Sequence, residues 1–145
     1  MAPILVFGWG NPSRGDDAVG PLFIEHVEAL NLPDVDCLTD FQLQVENVLD
    51  LRGRRRVLFV DASASARPPF EVSRLECAKD DSYTTHELSP EAVLDTYRSV
   101  LGGEPPPAWL LAIRGDTWEL GDAPSADAMS RLDLALEWAI TWLTG

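Results

Sequence analysis

Apolar residues in this chain fall into short unbroken runs separated by stripes of helical spacing. Residues 3–8 are an apolar run that meets Gly8 and predict a buried strand. A loop over 8–17 follows. Val19, Phe23, Val27 and Leu30 then share one face of a helix over 19–30, with Pro21 near its start and Asn31-Leu32-Pro33 ending it. A short strand is expected at 35–39, and a helix over 43–51 from the apolar Leu43, Val45, Val48, Leu49 and Leu51. The run Val57-Leu58-Phe59-Val60 has no polar member, which suits a central parallel strand covered on both faces; it ends in Asp61. Residues 70–77 predict a more polar strand at a sheet edge, and 78–87 a polar loop. Ser89-Pro90-Glu91 carries the marks of a helix start, with serine as N-cap and proline in the first turn. Val93, Leu94, Tyr97, Val100 and Leu101 supply that helix with an apolar face, and Gly102-Gly103 stops it. A buried strand at 109–113, a loop from Arg114 to Pro124 and a last helix over 125–143 complete the chain. Met129, Leu132, Ala135, Leu136, Ala139, Trp142 and Leu143 keep helical spacing in that last helix, so Leu136 and Trp142 are expected in the core.

Strands alternating with helices predict an α/β fold of three layers, α/β/α. The expected sheet is twisted, five-stranded and mostly parallel, with one antiparallel edge strand. No repeat or low-complexity tract interrupts it, so residues 1–145 are expected to form one domain.

Composition narrows the function. The formal net charge of −13 opposes binding to nucleic acid and to anionic membranes. The apolar run at the N-terminus is too short for a signal peptide or a membrane span and lacks a basic flank, so a cytoplasmic protein is expected, and a monomer. Cys37 and Cys77 have no CxxC spacing and read as reduced, near-core thiols. The cluster Arg52-Gly53-Arg54-Arg55-Arg56 reads as a solvated turn that offsets a helix C-terminal dipole.

The segment with most chemical content is Gly8-Trp9-Gly10-Asn11-Pro12-Ser13-Arg14-Gly15-Asp16-Asp17-Ala18-Val19-Gly20. It joins the first strand to the first helix, where dinucleotide folds carry their glycines. The spacing is not G-x-G-x-x-G, because Ser13 stands where the third glycine belongs, and two aspartates would repel a pyrophosphate. Ligands of open α/β sheets bind beyond the carboxyl ends of strands, where strand order reverses. With a sheet order 2-1-3, Asp17 after strand one and Asp61 at the end of strand three face one crevice, and His86, just before a helix, can reach the same edge. Two carboxylates and an imidazole suit a divalent transition metal and leave coordination positions open. Each residue also has an ordinary structural reading: Asp16 and Asp17 as turn formers at a helix start, Asp61 as a turn cap, His86 as a surface histidine.

The pattern resembles the hydrogenase maturation endopeptidases over nearly the whole chain. The motif G-x-G-N-x-x-x-x-D-D-x-x-G is complete at residues 8–20. It is followed in order by the strand ending Phe59-Val60-Asp61-Ala62 and by Thr85-His86-Glu87-Leu88-Ser89-Pro90. The resemblance implies metal contacts by Asp17, Asp61 and His86. It implies hydrolysis of one peptide bond near the C-terminus of a NiFe hydrogenase large-subunit precursor, with nickel arriving on the substrate and none held tightly by the isolated protein. Thr39-Asp40-Phe41-Gln42-Leu43-Gln44-Val45-Glu46 departs from the Asp-Gly-Gly-Thr turn of some members. Its Gln-Leu-x-x-Glu form is similar to the branch serving soluble, cofactor-reducing hydrogenases, and this leaves the role of Asp40 open, as that of Asp16 is.

No serine, cysteine or threonine nucleophile stands in a motif, so a water is the expected nucleophile, with Asp17 or Asp61 as general base. Two other readings remain. Gly8-Trp9-Gly10-Asn11-Pro12 also resembles the start of the peptidyl-tRNA hydrolases, but the histidine they need soon after it is absent until His26. A non-catalytic chaperone for the nickel-loaded precursor is the other.

Overall fold

The computed structural model describes residues 1–78 and 88–145. Five strands form one sheet: β1 (Ile4–Trp9), β2 (Val35–Asp40), β3 (Arg56–Ser63), β4 (Phe70–Arg74) and β5 (Ala108–Arg114). Their order is β2-β1-β3-β5-β4, all pairs parallel except β4 with β5. The expected three-layer α/β/α fold is therefore present, with β4 as the antiparallel edge.

Alternation along the central strands divides the core. Ile4 and Val6 of β1, with Leu58 and Val60 of β3, face α1 (Val19–Ala29) and α4 (Ala126–Thr144). Leu5, Phe7, Trp9, Val57 and Phe59 face the other way, toward α2 (Val48–Leu51) and α3 (Pro90–Leu101). A side-chain period of two puts apolar residues on both faces of a parallel strand, which explains why these runs have no polar member. Leu136 and Trp142 pack against the first of these cores while only half-buried.

Three local expectations change. The segment 43–51 is not one helix. Leu43 is buried but lies outside any helix, a 3-10 turn spans Val45–Asn47, and α2 has four residues. The Gln44 amide donates to Asn47 Oδ1 (2.7 Å), so a short polar side chain closes the turn, while Val45 and Leu49 remain exposed and give the helix too little to bury. β3 runs two residues past Asp61, because Asp61, Ala62 and Ser63 pair with Ala112, Ile113 and Arg114 of β5. Arg54 is not a solvated turn residue. Its side chain is 8% exposed and its guanidinium donates to Asp50 O, Ala2 O and Asp36 Oδ2, while the Arg56 guanidinium lies 4.2 Å from the centre of the Trp142 ring.

The Arg54 guanidinium, with the Ala2 amide, holds the Asp36 carboxyl below its ordinary value. A carboxylate depressed in the folded state stabilises above its unfolded pKa, and that stabilisation is lost as pH falls through the folded value. Asp36→Asn should therefore cost about 1 kcal/mol or less at neutral pH, since the carboxylate is 43% exposed. It should also flatten the decline in stability below about pH 4. Chemical denaturation of both proteins from pH 2 to 7 checks this; parallel curves would contradict it.

Candidate functional site

The turn after β1 owes its shape to its glycines. Gly10 has φ +149°, and a Cβ there would meet the Asp17 carbonyl oxygen at 2.1 Å. Only glycine lets the chain leaving β1 pass so close to the residues that open α1. Gly8 and Gly20 face each other across the β1–α1 contact, where a Cβ on Gly20 would lie 2.2 Å from the Trp9 carbonyl oxygen. The motif read in the sequence is thus first a packing device that brings the start of α1 onto the carboxyl end of β1.

That device presents two adjacent aspartates differently. Both lie on a 3-10 turn, Gly15–Ala18, rather than in an open loop. Asp17 is half-buried, and its Oδ2 accepts the Asn11 amide at 2.7 Å. Among the described residues Oδ1 takes no hydrogen bond. Asp16 is fully buried and points into the protein. Its Oδ1 accepts the Ser125 amide (2.7 Å), and its Oδ2 accepts the amides of Asp116 (2.7 Å) and Thr117 (3.2 Å) and the Ser125 hydroxyl (3.0 Å). Burial by itself raises the Asp16 pKa, but these donors together outweigh it and hold the group below its ordinary value. Taking a lone carboxylate out of water costs several kcal/mol. Hydrogen bonds to a charged group contribute about 1.5–3 kcal/mol each, so four of them keep the buried group ionised.

Asp61 is half-buried on β3, one residue beyond the level at which Val60 pairs with Gly8 of β1. The 3-10 turn that carries Asp17 packs against β3. The chain runs from β1 through α1 to β2 on one side and returns to β3 on the other, so β1 and β3 flank the reversal of strand order. Asp17 and Asp61 therefore stand toward the carboxyl ends of two neighbouring strands, β1 and β3. His86 lies outside the described residues, and among those described no group of three metal-ligating side chains occurs.

Trp9, the last residue of β1, is 4% exposed and packs its ring edge-on to Phe59 at 5.9 Å. Beside Asp17's turn, Gly10, Pro12, Pro21, Glu25, Thr39, Asp40 and Phe41 line an open groove of about 320 Å³. Asp40 ends β2. Its carbonyl accepts the Gly10 amide (3.1 Å) and its Oδ1 the Phe41 amide (2.7 Å), so it fixes one wall of the groove. A larger cavity of about 520 Å³, lined by Pro3, Ile4, Val35, Arg55 and Leu143, opens at the amino end of the sheet and holds none of the candidate residues.

Two other chemistries lose support. Burial, with Glu28 and Asp36 nearby, pushes the Cys37 thiol up to about 11, so it is protonated and a poor nucleophile at neutral pH. His26 is exposed in the last turn of α1, roughly 10 Å along the helix from its start at the crevice. It does not supply the base that a peptidyl-tRNA esterase would need there.

No protein-family model and no curated protein matches the sequence. Solved structures do match in three dimensions. The NiFe hydrogenase maturation protease HycI from Thermococcus kodakarensis KOD1 superposes with a TM-score of 0.78 at 24% identity, over 99% of this chain and 94% of that one. The hydrogenase maturating endopeptidase HybD from E. coli gives 0.76 at 24% identity over 99% and 93%. A hydrogenase 2 maturation peptidase from a Thaumarchaeota archaeon gives 0.68 at 23% identity, over 97% of each chain. In strand order, layers and extent, the chain has the fold of the hydrogenase maturation proteases.

Proposed function

We propose that this protein is an endopeptidase that removes the C-terminal extension of a nickel-loaded NiFe hydrogenase large-subunit precursor. The observation that carries the proposal is the pair Asp17 and Asp61 at one sheet edge, beside the reversal of strand order, within this fold. Asp17, Asp61 and His86 are assigned to contact the substrate's nickel. Carboxylate and imidazole donors suit a divalent ion, and three of them leave positions for the substrate's own ligands.

In the proposed reaction the groove beside Asp17 receives the chain flanking the scissile bond. Asp17 has one oxygen held by the Asn11 amide, and its other oxygen is assigned to orient the metal-bearing segment or accept a proton from the attacking water. Water attack breaks the C–N bond; the carbonyl carbon gains the hydroxyl and the leaving amine takes the proton. No helix among the described residues is long and apolar enough to cross a membrane, and the reaction asks for none.

The test is to mix the protein with precursor loaded with nickel or free of it and follow precursor mass. Loss of the tail from the nickel-loaded form alone is expected. An uncut precursor that still binds would leave a chaperone instead. Elemental analysis after dialysis should find no stoichiometric metal in the isolated protein; a metal that survives would mean a self-contained metallopeptidase.

A further inference from the structure

We propose that Asp16 is a positioning residue: a buried carboxylate that clamps the Asp17 turn to the β5–α4 connection and thereby fixes the direction of the Asp17 side chain. This rests on the proposed role of Asp17 and extends it to the neighbour whose function the sequence left open.

Asp16 is the only charged or polar residue among those described that is buried as a whole, at 0% exposed. Its four donors come from residues at least 100 positions downstream, so its contacts are tertiary and not local turn chemistry. The backbone repeats the connection. The Asp16 amide donates to Thr117 O (2.8 Å), the Gly15 amide to Asp122 O (3.0 Å) and the Gly121 amide to Ser13 O (2.6 Å). Gly115 leaves room for this, since a Cβ there would come within 2.9 Å of the Asp16 Cβ. Ser125 links the clamp to a long helix. Its hydroxyl donates to Asp16 Oδ2 and accepts the Ala128 amide (3.1 Å) as the N-cap of α4, at the end of the helix that favours a negative charge.

On a 3-10 turn, successive side chains diverge by about 120°. With Asp16 anchored inward, Asp17 is turned outward over the carboxyl edge of the sheet. The Asn11 amide then needs only one contact to fix its remaining freedom. Release of Asp16 frees the turn to rotate, and a displacement of about 1 Å in a reacting group can cost about 10²-fold in rate.

Asp16→Asn replaces one acceptor oxygen with an NH2 that faces donors on every side. In this variant the Asn11 amide, observed by NMR, should shift and lose at least about 10-fold of its exchange protection, while amides of β1 and β3 keep theirs. Cleavage of nickel-loaded precursor should lose about 10²-fold in kcat with little change in KM. If Asp16→Asn does not fold, Ser125→Ala carries the test with a smaller Asn11 shift, and Ser125→Thr should restore the resonance. An Asn11 amide unchanged in the folded variants overturns the proposal, as does a loss of protection shared equally by the central strands. A wild-type protein that fails to cut precursor defeats the proposed cleavage, and the amide measurement still decides the clamp.

Discussion

Asp17→Asn is expected to lower the rate of precursor cleavage by at least roughly 10²-fold while leaving the fold intact. Removal of a positioned acid–base group costs about 10²–10⁴-fold in other enzymes. The substitution keeps the shape of the side chain, and its amide oxygen still accepts the Asn11 amide that Asp17 accepts at 2.7 Å. What disappears is the charge at the free edge of the turn. The melting temperature should stay within about 2 °C of wild type, as for a change well below 1 kcal/mol in a chain of this size. His86→Ala should be as inactive. Single-turnover cleavage beside a thermal melt separates the two effects. Near-wild-type cleavage by the Asp17→Asn protein would remove Asp17 from the mechanism.

Gly20→Ala should destabilise the protein by about 1–3 kcal/mol, the usual cost of forcing extra volume into a packed contact. Helix propensity alone gives the opposite sign, since alanine inside a helix gains roughly 1 kcal/mol over glycine. Gly20 is the second residue of α1, and its backbone angles would admit any residue. The added Cβ, however, would lie 2.2 Å from the Trp9 carbonyl oxygen and 3.1 Å from the Trp9 nitrogen. Those are backbone atoms of a strand hydrogen-bonded on both sides, so they cannot swing away as a side chain can. The α1 axis must move instead, and the Asp17 turn with it. Urea denaturation gives the sign directly; a more stable Gly20→Ala protein would show that the helix does not rest on the strand at this spacing.

Much of the fold was legible because it rests on patterns confined to single elements. The unbroken apolar run 57–60 announced a strand covered on both faces, and both cores meet there. Ser89 and Pro90 marked the start of α3, and the Ser89 hydroxyl does accept the Ala92 amide at 3.1 Å. The segment 43–51 misled because five apolar residues in nine resemble a helical stripe. Val45 and Leu49 in fact stay exposed. Arg54 misled in the other direction. A run of arginines reads as solvent-facing, and nothing local foretells that one of them will clasp Ala2 and Asp36.

The alternation of strands and helices, the edge strand, and the positions of Asp17 and Asp61 at one end of neighbouring strands can be read from the chain alone. Periodicity, caps and glycine spacing are local properties, and strand order follows from them with few topologies left to choose among. Only the folded chain separates the two adjacent aspartates: Asp16 is fully buried, whereas Asp17 is half-buried and accepts the Asn11 amide alone. Asp16 and Asp17 are the same residue type on the same turn. They differ because donors from the chain around Asp116, Thr117 and Ser125 converge on one and not on the other. A carboxylate's role is set by what surrounds it, and those surroundings come from residues a hundred positions away.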